Sequence, residues 1–348
     1  MNAPNDSEAG FRSPSRRPNT DGPDEEGRPP ANAVEGAVTV KRELVVGLGP
    51  VPSDLVQEVL GDLAEFVASP SDDQLRMASG AIVRADIDVD SHMLDSMPEL
   101  KVLARTGVGT ERVDVTEADR RGIPVAITPG SNTDAVAEGA LSHLLALTKS
   151  LRPLTSLVAE GRWSERSDYA VGDLAGGTLA VLGYGRIGSK VGALAGAFGM
   201  RVVAFDPFVQ VEGVEQATTA EEAVSDATHI SVHLPSTPET AGLIGATFIA
   251  GLRPGAILVN LARGDIADND ALLEGLESGQ LAGVGLDVFP DEPPAHHPLF
   301  DHPRVVLTPH VMGLSEQSAK KTFQMAAEAV AAVLRGEQPM AVATVPNV

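Results

Sequence analysis

Short apolar runs alternate with amphipathic segments along most of the chain, beginning at Leu44. Unbroken runs rich in Val, Ile, Leu and Ala predict strands that are buried on both faces. The predicted strands cover residues 44–48, 80–84, 101–105, 124–127, 178–183, 201–206, 229–234, 256–261, 283–289 and 304–309. Because these strands alternate with helices, the pattern predicts an α/β fold whose parallel sheets are covered by helices.

Helical spacing of apolar residues predicts the helices between these strands. The predicted helices include residues 53–66, 90–100, 133–151 and 315–335. The third is long and amphipathic, with Ala137, Leu141 and Leu144 on one face. A loop that contains Trp163 follows it and separates two series of strands and helices, which are alike in architecture but not in sequence.

Residues 1–40 do not follow this pattern. They are rich in Pro, Gly, Ser, Asn and charged residues and hold almost no large apolar side chains, which predicts a disordered tail. Arg16-Arg17 could begin a twin-arginine export signal, but no apolar stretch follows it, so we expect a cytoplasmic protein.

Length, charge and composition limit the classes of function that the chain can have. The chain has 348 residues, too many for one small core, which predicts two domains. Its formal net charge of −22 argues against a nucleic acid or an anionic membrane as partner, although clustered arginines can still bind a small anion. The chain has no cysteine, which excludes disulfides and thiolate chemistry. It also has no apolar run near the roughly 18 residues of a membrane helix.

A glycine-rich turn follows the predicted strand at 178–183. Gly183 permits a tight turn, Gly185 lets the backbone approach a pyrophosphate, and Gly188 lets the next helix pack close to the strand. The free N–H groups at the start of that helix suit phosphate oxygens. The next strand ends in Asp206, which can accept hydrogen bonds from ribose hydroxyls and would repel a 2′-phosphate. The combination predicts a site for NAD rather than NADP.

A second glycine pair, Gly47-x-Gly49, also follows a predicted strand. Its third position is Pro52 rather than glycine, and no acidic strand end follows at the right distance. We therefore interpret it as an ordinary connection between a strand and a helix.

Three polar side chains lie at or just after the ends of strands in the second series: Arg263, Glu292 and His310. Each of them alone is better explained as a surface or core residue. Together they supply what the oxidation of a 2-hydroxy acid needs. The arginine binds the substrate carboxylate and polarises the C2 oxygen, the histidine takes the hydroxyl proton, and NAD accepts the hydride. A carboxylate beside the histidine favours the imidazolium, which donates a proton in the reduction direction.

From about Leu44 to its C-terminus the chain resembles the D-isomer-specific 2-hydroxyacid dehydrogenase family. The motifs that carry the resemblance are LGYGRIG, NLARGD, LDVFPDEPP and LTPHVMG, in the order and at the spacing of the family. Within the family, the first half is most similar to phosphoglycerate dehydrogenases, on the segments AIVRAD, ELKVLARTGVGTERVD and ITPGSNTDAVAE. The chain ends soon after its last predicted helix, so we expect no C-terminal regulatory domain of the kind that longer phosphoglycerate dehydrogenases carry.

The resemblance implies two Rossmann-like domains. A flavodoxin-like substrate domain would comprise residues 41–147 and 316–348, and an NAD-binding Rossmann domain, residues 148–315, would be inserted within it. The disordered tail, residues 1–40, would precede both. Family members are usually homodimers, so we expect a homodimer with the long helix after Thr133 near the interface.

The resemblance also implies roles for individual residues. The catalytic set would be Arg263, Glu292 and His310, with no metal ion. Backbone N–H groups of Val108 and Gly109 would bind the substrate carboxylate together with Arg263, and Arg84 would reach the anionic end of the substrate.

For the cofactor, the resemblance implies a longer set of contacts. The residues expected there are Thr133, Gly183, Gly185, Arg186, Ile187, Gly188, Asp206, His233, Pro235, Ala262, Asp287 and Gly313. Asp287 would contact the nicotinamide amide, and His233 and Pro235 would line the adenine side.

Two positions depart from the family pattern. Glu111-Arg112 stands where family members commonly have Asp-Asn, and Arg112 either adds a cation near the substrate loop or faces solvent. Asp265 stands where a small residue is common, close in sequence to Arg263, and could compete for it.

The sequence therefore predicts an NAD-dependent dehydrogenase of D-2-hydroxy acids. Arg84 and Arg112 slightly favour 3-phosphoglycerate or a similar doubly anionic acid, while glyoxylate, hydroxypyruvate and other small 2-oxo acids stay open. An alternative of another class is an NADH-sensing module that binds protein partners, as corepressors of this family do, with residues 1–40 as a partner-binding segment. The intact set of Arg263, Glu292 and His310 argues against that alternative.

Overall fold

The computed structural model describes residues 42–344. The predicted disordered tail, residues 1–40, lies outside the described residues. The described residues form an α/β structure with two parallel β-sheets, which confirms the predicted fold class.

The strands fall into one smaller and one larger sheet. The strands are β1 (Glu43–Leu48), β2 (Ala64–Val67), β3 (Gly80–Val83), β4 (Val102–Arg105), β5 (Val125–Ala126), β6 (Thr178–Leu182), β7 (Arg201–Phe205), β8 (Glu215–Gln216), β9 (His229–Val232), β10 (Ala256–Asn260), β11 (Leu281–Leu286) and β12 (Val305–Leu307). The smaller sheet has the order β2-β1-β3-β4-β5, and the larger has the order β12-β11-β10-β9-β6-β7-β8. Neighbouring strands within each sheet are parallel.

Helices connect the strands and cover the sheets. The helices are α1 (Ser53–Leu60), α2 (Asp72–Arg76), α3 (Ser91–Asp95), α4 (Val115–Arg120), α5 (Thr133–Thr148), α6 (Leu151–Ala159), α7 (Arg186–Ala197), α8 (Ala220–Val224), α9 (Ala246–Ala250), α10 (Asn269–Glu277), α11 (Pro298–Asp301) and α12 (Glu316–Leu334). Two short 3₁₀ segments cover Trp163–Asp168 and Gly264–Ile266.

Two long helices show how each sheet is covered. α5 packs on the larger sheet beside α7, and its Ala137, Ala140 and Leu144 are fully buried there. α12 packs on the smaller sheet beside α1, where Val330 is fully buried. The domain boundaries inferred from sequence stay predictions. They assign most of α5 to the substrate domain, whereas this helix lies against the larger sheet.

The predicted helix over residues 53–66 is wrong in its second half. α1 ends at Leu60, Gly61 follows with a φ of 54°, and Ala64–Val67 form β2 at the edge of the smaller sheet. Over so short a segment, apolar spacing does not separate the end of a helix from a following strand. The glycine at position 61 was the signal in the sequence for the end of the helix, because glycine readily adopts a positive φ.

The predicted helix over 133–151 is also too long. α5 ends at Thr148, Ser150 has a φ of 49°, and a separate helix begins at Leu151. The predicted loop around Trp163 is therefore partly helical, since it comprises α6 and a 3₁₀ segment. α3 is likewise shorter than the predicted helix over 90–100.

The strand order of the larger sheet creates a crevice at its carboxyl edge. β6 lies between β9 and β7, so the connections that follow β6 and β9 leave the sheet in opposite directions. Gly183 follows β6 and His233 follows β9 at this point. The segments that carry Arg263, Glu292 and His310 follow β10, β11 and β12 on the same edge.

Candidate active site

The glycine turn after β6 is shaped by close backbone contacts. Gly183 has a φ of 93°, and a Cβ at this position would lie 2.6 Å from the carbonyl carbon of His233. A Cβ on Gly188 would overlap the carbonyl oxygen of Gly183. Gly185, by contrast, has open space where its Cβ would be, at the N-terminus of α7. The turn is therefore compact on its inner side and accessible to a phosphate at the helix N-terminus.

Asp206 is fixed beside this turn. Its Oδ2 accepts a hydrogen bond from the Tyr184 N–H at 2.8 Å, and its Oδ1 accepts from the N–H groups of Phe208 and Val209 at 2.9 and 3.1 Å. The carboxylate is therefore fixed beside the glycine turn, and its contact with the ribose of a dinucleotide stays a prediction. A negative charge at this point favours a free 2′-hydroxyl and disfavours a 2′-phosphate.

His233 packs against the same turn in a neutral form. Its Nε2 lies 2.8 Å from the Ser231 Oγ, and burial lowers the pKa of His233 to about 4. An uncharged ring suits the adenine side that the sequence assigns to His233.

The start of α5 approaches the glycine turn from the other side. A Cβ on Gly130 would lie 3.6 Å from the Arg186 Cδ and 3.8 Å from the Thr133 Oγ1. A Cβ on Gly313 would lie 2.9 Å from the Asn132 Nδ2. The structure therefore brings Thr133, Arg186 and Gly313, all expected at the cofactor, to the N-terminal end of α5.

The buried side chain of Asn260 holds the turn that carries Arg263 after the apolar strand β10. Asn260, the fully buried last residue of β10, donates from Nδ2 to the carbonyl oxygen of Arg263 at 2.8 Å and accepts from the Ala262 N–H at 3.0 Å. The guanidinium of Arg263 donates from Nη1 to the Ala262 carbonyl at 2.8 Å. Asp265, which the sequence suggests as a competitor for Arg263, accepts a hydrogen bond from the Ser236 hydroxyl instead.

The turn after Arg263 packs directly on the segment that carries Glu292. A Cβ on Gly264 would overlap the carbonyl group of Phe289, so only glycine lets these two backbones touch. The Oε1 of Glu292 accepts a hydrogen bond from the Phe289 N–H at 3.1 Å. Arg263 and Glu292 are therefore held on two loops that support each other.

His310 and Glu292 form a hydrogen-bonded pair. The Nδ1 of His310 lies 2.7 Å from the Oε2 of Glu292. An ionised carboxylate can only accept, so Nδ1 carries the proton in this pair and Nε2 is left for a substrate. The His310 side chain is 52% exposed, and it lines an apolar cleft of about 390 Å³ together with Phe289 and Leu307. This arrangement suits proton transfer between Nε2 and a bound hydroxyl.

A buried network fixes the backbone next to His310. Asp287 accepts hydrogen bonds from the Thr308 hydroxyl at 2.6 Å and from the N–H groups of Val311 and Met312 at 3.0 and 3.1 Å. These bonds flank His310, whose φ of 52° is uncommon for a residue with a side chain. The side chain of Asp287 therefore positions His310, and its contact with the nicotinamide amide stays a prediction.

His143 of α5 extends this network. Its Nε2 lies 3.2 Å from the Thr308 Oγ1, and because that hydroxyl donates to Asp287, it accepts from His143. Burial lowers the pKa of His143, and the charge of Asp287 opposes that effect. Neutral His143 therefore orients the hydroxyl of Thr308.

Arg105 and Glu111, which the sequence does not mark as site residues, lie beside Arg263. The Oε1 of Glu111 accepts a hydrogen bond from the Arg263 Nε at 2.9 Å. Partial desolvation opposes ionisation of Glu111, but the charge of Arg263, local hydrogen bonds and Arg105 outweigh it and hold the pKa of Glu111 below its usual value. A Cβ on Gly109 would lie 2.6 Å from the Arg263 Nη2, so the predicted carboxylate-binding loop meets this cluster.

The other predicted arginines have aspartate neighbours. Arg112 pairs with Asp88 at 3.0 Å, and both side chains are exposed. The Nε of Arg84 is 3.7 Å from the Oδ1 of Asp86, and its guanidinium lies over the Phe323 ring, 5.8 Å from the ring centroid. The positive charge of each arginine is therefore partly offset by an aspartate of the segment that follows β3.

Similarity to known proteins decides the family. Residues 141–312 match the family described as D-isomer specific 2-hydroxyacid dehydrogenase, NAD binding domain. The chain belongs to this family. It is 38% identical over 288 residues to the D-3-phosphoglycerate dehydrogenase of Mycobacterium bovis, which covers 80% of this chain and 54% of that relative. The chain thus spans about half the length of the curated relatives it matches.

Solved structures of a dehydrogenase and of a reductase share the fold. D-lactate dehydrogenase from Aquifex aeolicus, solved with NAD and lactic acid, matches with a TM-score of 0.73 and 28% identity over 85% of this chain and 96% of that chain. The NADPH-dependent glyoxylate/hydroxypyruvate reductase from Sinorhizobium meliloti matches with a TM-score of 0.78 and 27% identity over 87% of this chain and 98% of that chain.

The chain has the NAD-binding domain of its family, and its residues fit that cofactor. Open space at Gly185 and the N-terminus of α7 suit the pyrophosphate, and the fixed carboxylate of Asp206 suits a ribose without a 2′-phosphate. Among residues 42–344, no group of three or more acidic or histidine side chains is arranged to hold a metal ion. Within the same range, no helix is long and apolar enough to cross a membrane.

Proposed function

We propose that the chain is an NAD-dependent dehydrogenase that interconverts a D-2-hydroxy acid and its 2-oxo acid, with 3-phosphoglycerate as the favoured substrate. The observation that carries the proposal is the 2.7 Å hydrogen bond between His310 Nδ1 and Glu292 Oε2, on the sheet edge that also carries Arg263 and the glycine turn. A substrate between Arg263 and His310 would offer its carboxylate to one and its hydroxyl to the other.

Each side chain has a defined task in the oxidation direction. The Nε2 of His310 accepts the proton of the C2 hydroxyl, and Glu292 stabilises the imidazolium that forms. Arg263 holds the carboxylate and polarises the C2 oxygen. NAD, when bound, accepts the hydride that leaves C2. In reduction, the imidazolium of His310 returns a proton to the oxygen of the 2-oxo group.

Similarity and charge both support 3-phosphoglycerate as the substrate. The chain is similar to the D-3-phosphoglycerate dehydrogenase of Mycobacterium bovis over most of its length. Arg84 follows β3, Arg105 is the last residue of β4, and Arg263 follows β10, so all three lie at the carboxyl ends of strands. Guanidinium groups suit both a carboxylate and a phosphate.

A small 2-oxo acid such as glyoxylate or hydroxypyruvate is the second candidate substrate. The aspartates beside Arg84 and Arg112 favour it, because they offset the positive charge that a phosphate would need. The glyoxylate/hydroxypyruvate reductase of Sinorhizobium meliloti, which shares the fold, adds support.

Substitution of Arg84 separates these two substrates. We expect Arg84→Gln to lower kcat/KM for phosphohydroxypyruvate by about 10- to 100-fold, since a charged hydrogen bond to phosphate is lost, and to change kcat/KM for hydroxypyruvate much less. Arg120→Gln is the matched control, because Arg120 is exposed and pairs with Glu117 of its own helix α4. Equal losses for both acids in Arg84→Gln would assign Arg84 to the fold rather than to phosphate recognition.

The proposal includes a homodimer in the cytoplasm. Leu151, Val158 and Trp163 are more than half exposed on α6 and the 3₁₀ segment that follows it, which supports an interface beside α5. Light scattering of purified protein tests the dimer, and Val158→Asp should yield monomers if this surface forms it. Cell fractionation tests the location.

The partner-binding alternative is tested in the same assays. A protein of that class would bind NADH tightly, turn over none of the 2-oxo acids, and form a stable complex with another protein. Turnover that depends on His310 would exclude it.

A further inference from the structure

The guanidinium of Arg263 already has a carboxylate partner within the chain. Glu111 lies 152 residues away in sequence, on the loop that follows β4 in the smaller sheet, and its Oε1 accepts from the Arg263 Nε at 2.9 Å. The Nη1 of Arg263 is bonded to the Ala262 carbonyl at 2.8 Å. The Nη2 of Arg263 has no hydrogen-bond partner among residues 42–344, and it lies against Gly109.

This contact occupies the edge of Arg263 that a substrate would use. An arginine binds a carboxylate best through two parallel N–H donors on one edge of the guanidinium. Glu111 takes the Nε of the edge formed by Nε and Nη2, next to the Val108-Gly109 loop to which we assign the substrate carboxylate. A substrate can gain both donors of that edge only when Glu111 withdraws.

We propose that Glu111 is a specificity-determining residue of the substrate site, a tethered carboxylate that competes with the substrate carboxylate for Arg263. The inference rests on the proposed function in one respect, namely that Arg263 binds the substrate. It goes further, because it assigns the chain an internal competitor that every anionic ligand must displace.

The charges around Glu111 give the competitor a second effect. Arg105 and Arg263 contribute two positive charges, and Glu111 contributes one negative charge, so the cluster carries a net charge of +1. One substrate carboxylate neutralises it. A second negative charge at the same end of the ligand would face Glu111, so the site favours ligands with one carboxylate there.

Exposure makes the exchange of partners inexpensive. The Glu111 side chain is 61% exposed and that of Arg263 is 36% exposed, so water replaces the lost hydrogen bond. Ion pairs of this exposure are weak, which sets the expected effect of removing one at roughly twofold to fivefold in affinity.

Ligand binding to the NADH complex tests the proposal without requiring turnover. The probes are oxamate, which carries one negative charge, and oxalate, which carries two, titrated by the fluorescence of bound NADH. We expect Glu111→Gln to bind oxamate roughly twofold to fivefold more tightly than the wild-type chain does, and to gain more for oxalate than for oxamate. KM for the 2-oxo acid should fall by a similar factor while kcat changes less than twofold.

Two further variants isolate the contact with Arg263. Asp88→Asn removes a neighbouring carboxylate that pairs with Arg112 rather than with Arg263, and it should leave oxamate binding unchanged. Glu111→Asp keeps the charge and should stay close to the wild-type chain. Unchanged, weaker or undetectable oxamate binding in Glu111→Gln would overturn the proposal, and a fall in kcat would assign Glu111 to holding Arg263 in place.

The outcome is separate from that of the proposed function. If no 2-oxo acid is turned over, the dehydrogenase proposal fails while the oxamate titration still decides whether Glu111 competes for Arg263. If turnover is found and Glu111→Gln binds oxamate no better, only the competitor proposal fails.

Discussion

The imidazole Nδ1 of His310 and the carboxylate Oε2 of Glu292 are 2.7 Å apart. The other oxygen of Glu292 accepts from the Phe289 N–H at 3.1 Å, so the backbone holds the carboxylate while the carboxylate holds the ring. This chain of contacts fixes the tautomer of His310 and leaves Nε2 as the atom that exchanges a proton with substrate.

Glu292→Gln tests how much the contact between Glu292 and His310 contributes to proton transfer. The amide carries no charge to stabilise the imidazolium, so we expect kcat for reduction of the 2-oxo acid to fall by about 10- to 100-fold with little change in KM. Asp291→Asn, an exposed carboxylate in the same turn, is the control and should keep the wild-type kcat. An unchanged kcat in Glu292→Gln would remove Glu292 from the proton transfer.

Asp206 should decide between the two nicotinamide cofactors. Asp206→Asn removes the negative charge beside the ribose site and keeps one oxygen, which can accept either from the Tyr184 N–H or from the N–H groups of Phe208 and Val209. We expect the ratio of kcat/KM with NADPH to that with NADH to rise by about tenfold, because a 2′-phosphate is no longer repelled. The exposed Glu212→Gln provides the comparison. A ratio that does not move would mean that other groups exclude NADPH.

Gly264 should tolerate no side chain. A Cβ there overlaps the Phe289 carbonyl group, so Gly264→Ala must separate the loops that carry Arg263 and Glu292. We expect a loss of about 1 to 3 kcal/mol in the free energy of unfolding and a lower kcat/KM. Gly196→Ala, in α7 with open space around its Cβ, should leave both unchanged or slightly raise stability. Thermal melts and initial rates of the two variants give the comparison.

His229 makes stability depend on pH. The ring lies between the Thr148 and Thr228 hydroxyls at 3.0 and 2.8 Å, and burial lowers the pKa of His229 to about 4. In the unfolded chain the pKa is about 6.5, so the unfolded state binds the extra proton between these values. The stabilisation is complete above about pH 6.5 and is lost as the pH falls towards 4, by up to about 3 kcal/mol.

The measurement is the unfolding midpoint of the wild-type chain and of His229→Gln between pH 7 and pH 5. The wild-type midpoint should fall more steeply, because the variant lacks the group that the unfolded state protonates. Parallel curves would show that His229 does not titrate differently in the two states.

The cofactor side of the site could be predicted from sequence because it depends on neighbouring residues. Gly183, Gly185, Gly188 and Asp206 belong to one unit of strand, helix and strand, and each has a local reason for its residue type. The fold class was predicted from the alternation of strands and helices, the family from its motifs and NAD from the glycine turn, and all three are confirmed.

The substrate side could be predicted only in part. The pairing of Glu111 with Arg263 joins segments 152 residues apart, and nothing local to Glu111 indicates its partner. Asn260 is a signal of the turn that holds Arg263 and is visible in the sequence, since a polar residue that closes an apolar strand needs buried hydrogen bonds. β2 was not predicted, because an edge strand and the end of a helix have similar apolar spacing over a few residues.

The oxidation of NADH by the purified chain and by His310→Gln, each with phosphohydroxypyruvate, hydroxypyruvate, glyoxylate and pyruvate, tests the dehydrogenase proposal most directly. We expect turnover of at least one acid by the wild-type chain, and a loss of about 10²- to 10⁴-fold in the variant while NADH still binds. Absence of turnover with all four acids, or turnover that survives in His310→Gln, would contradict the role of His310 as the acid and base of the reaction.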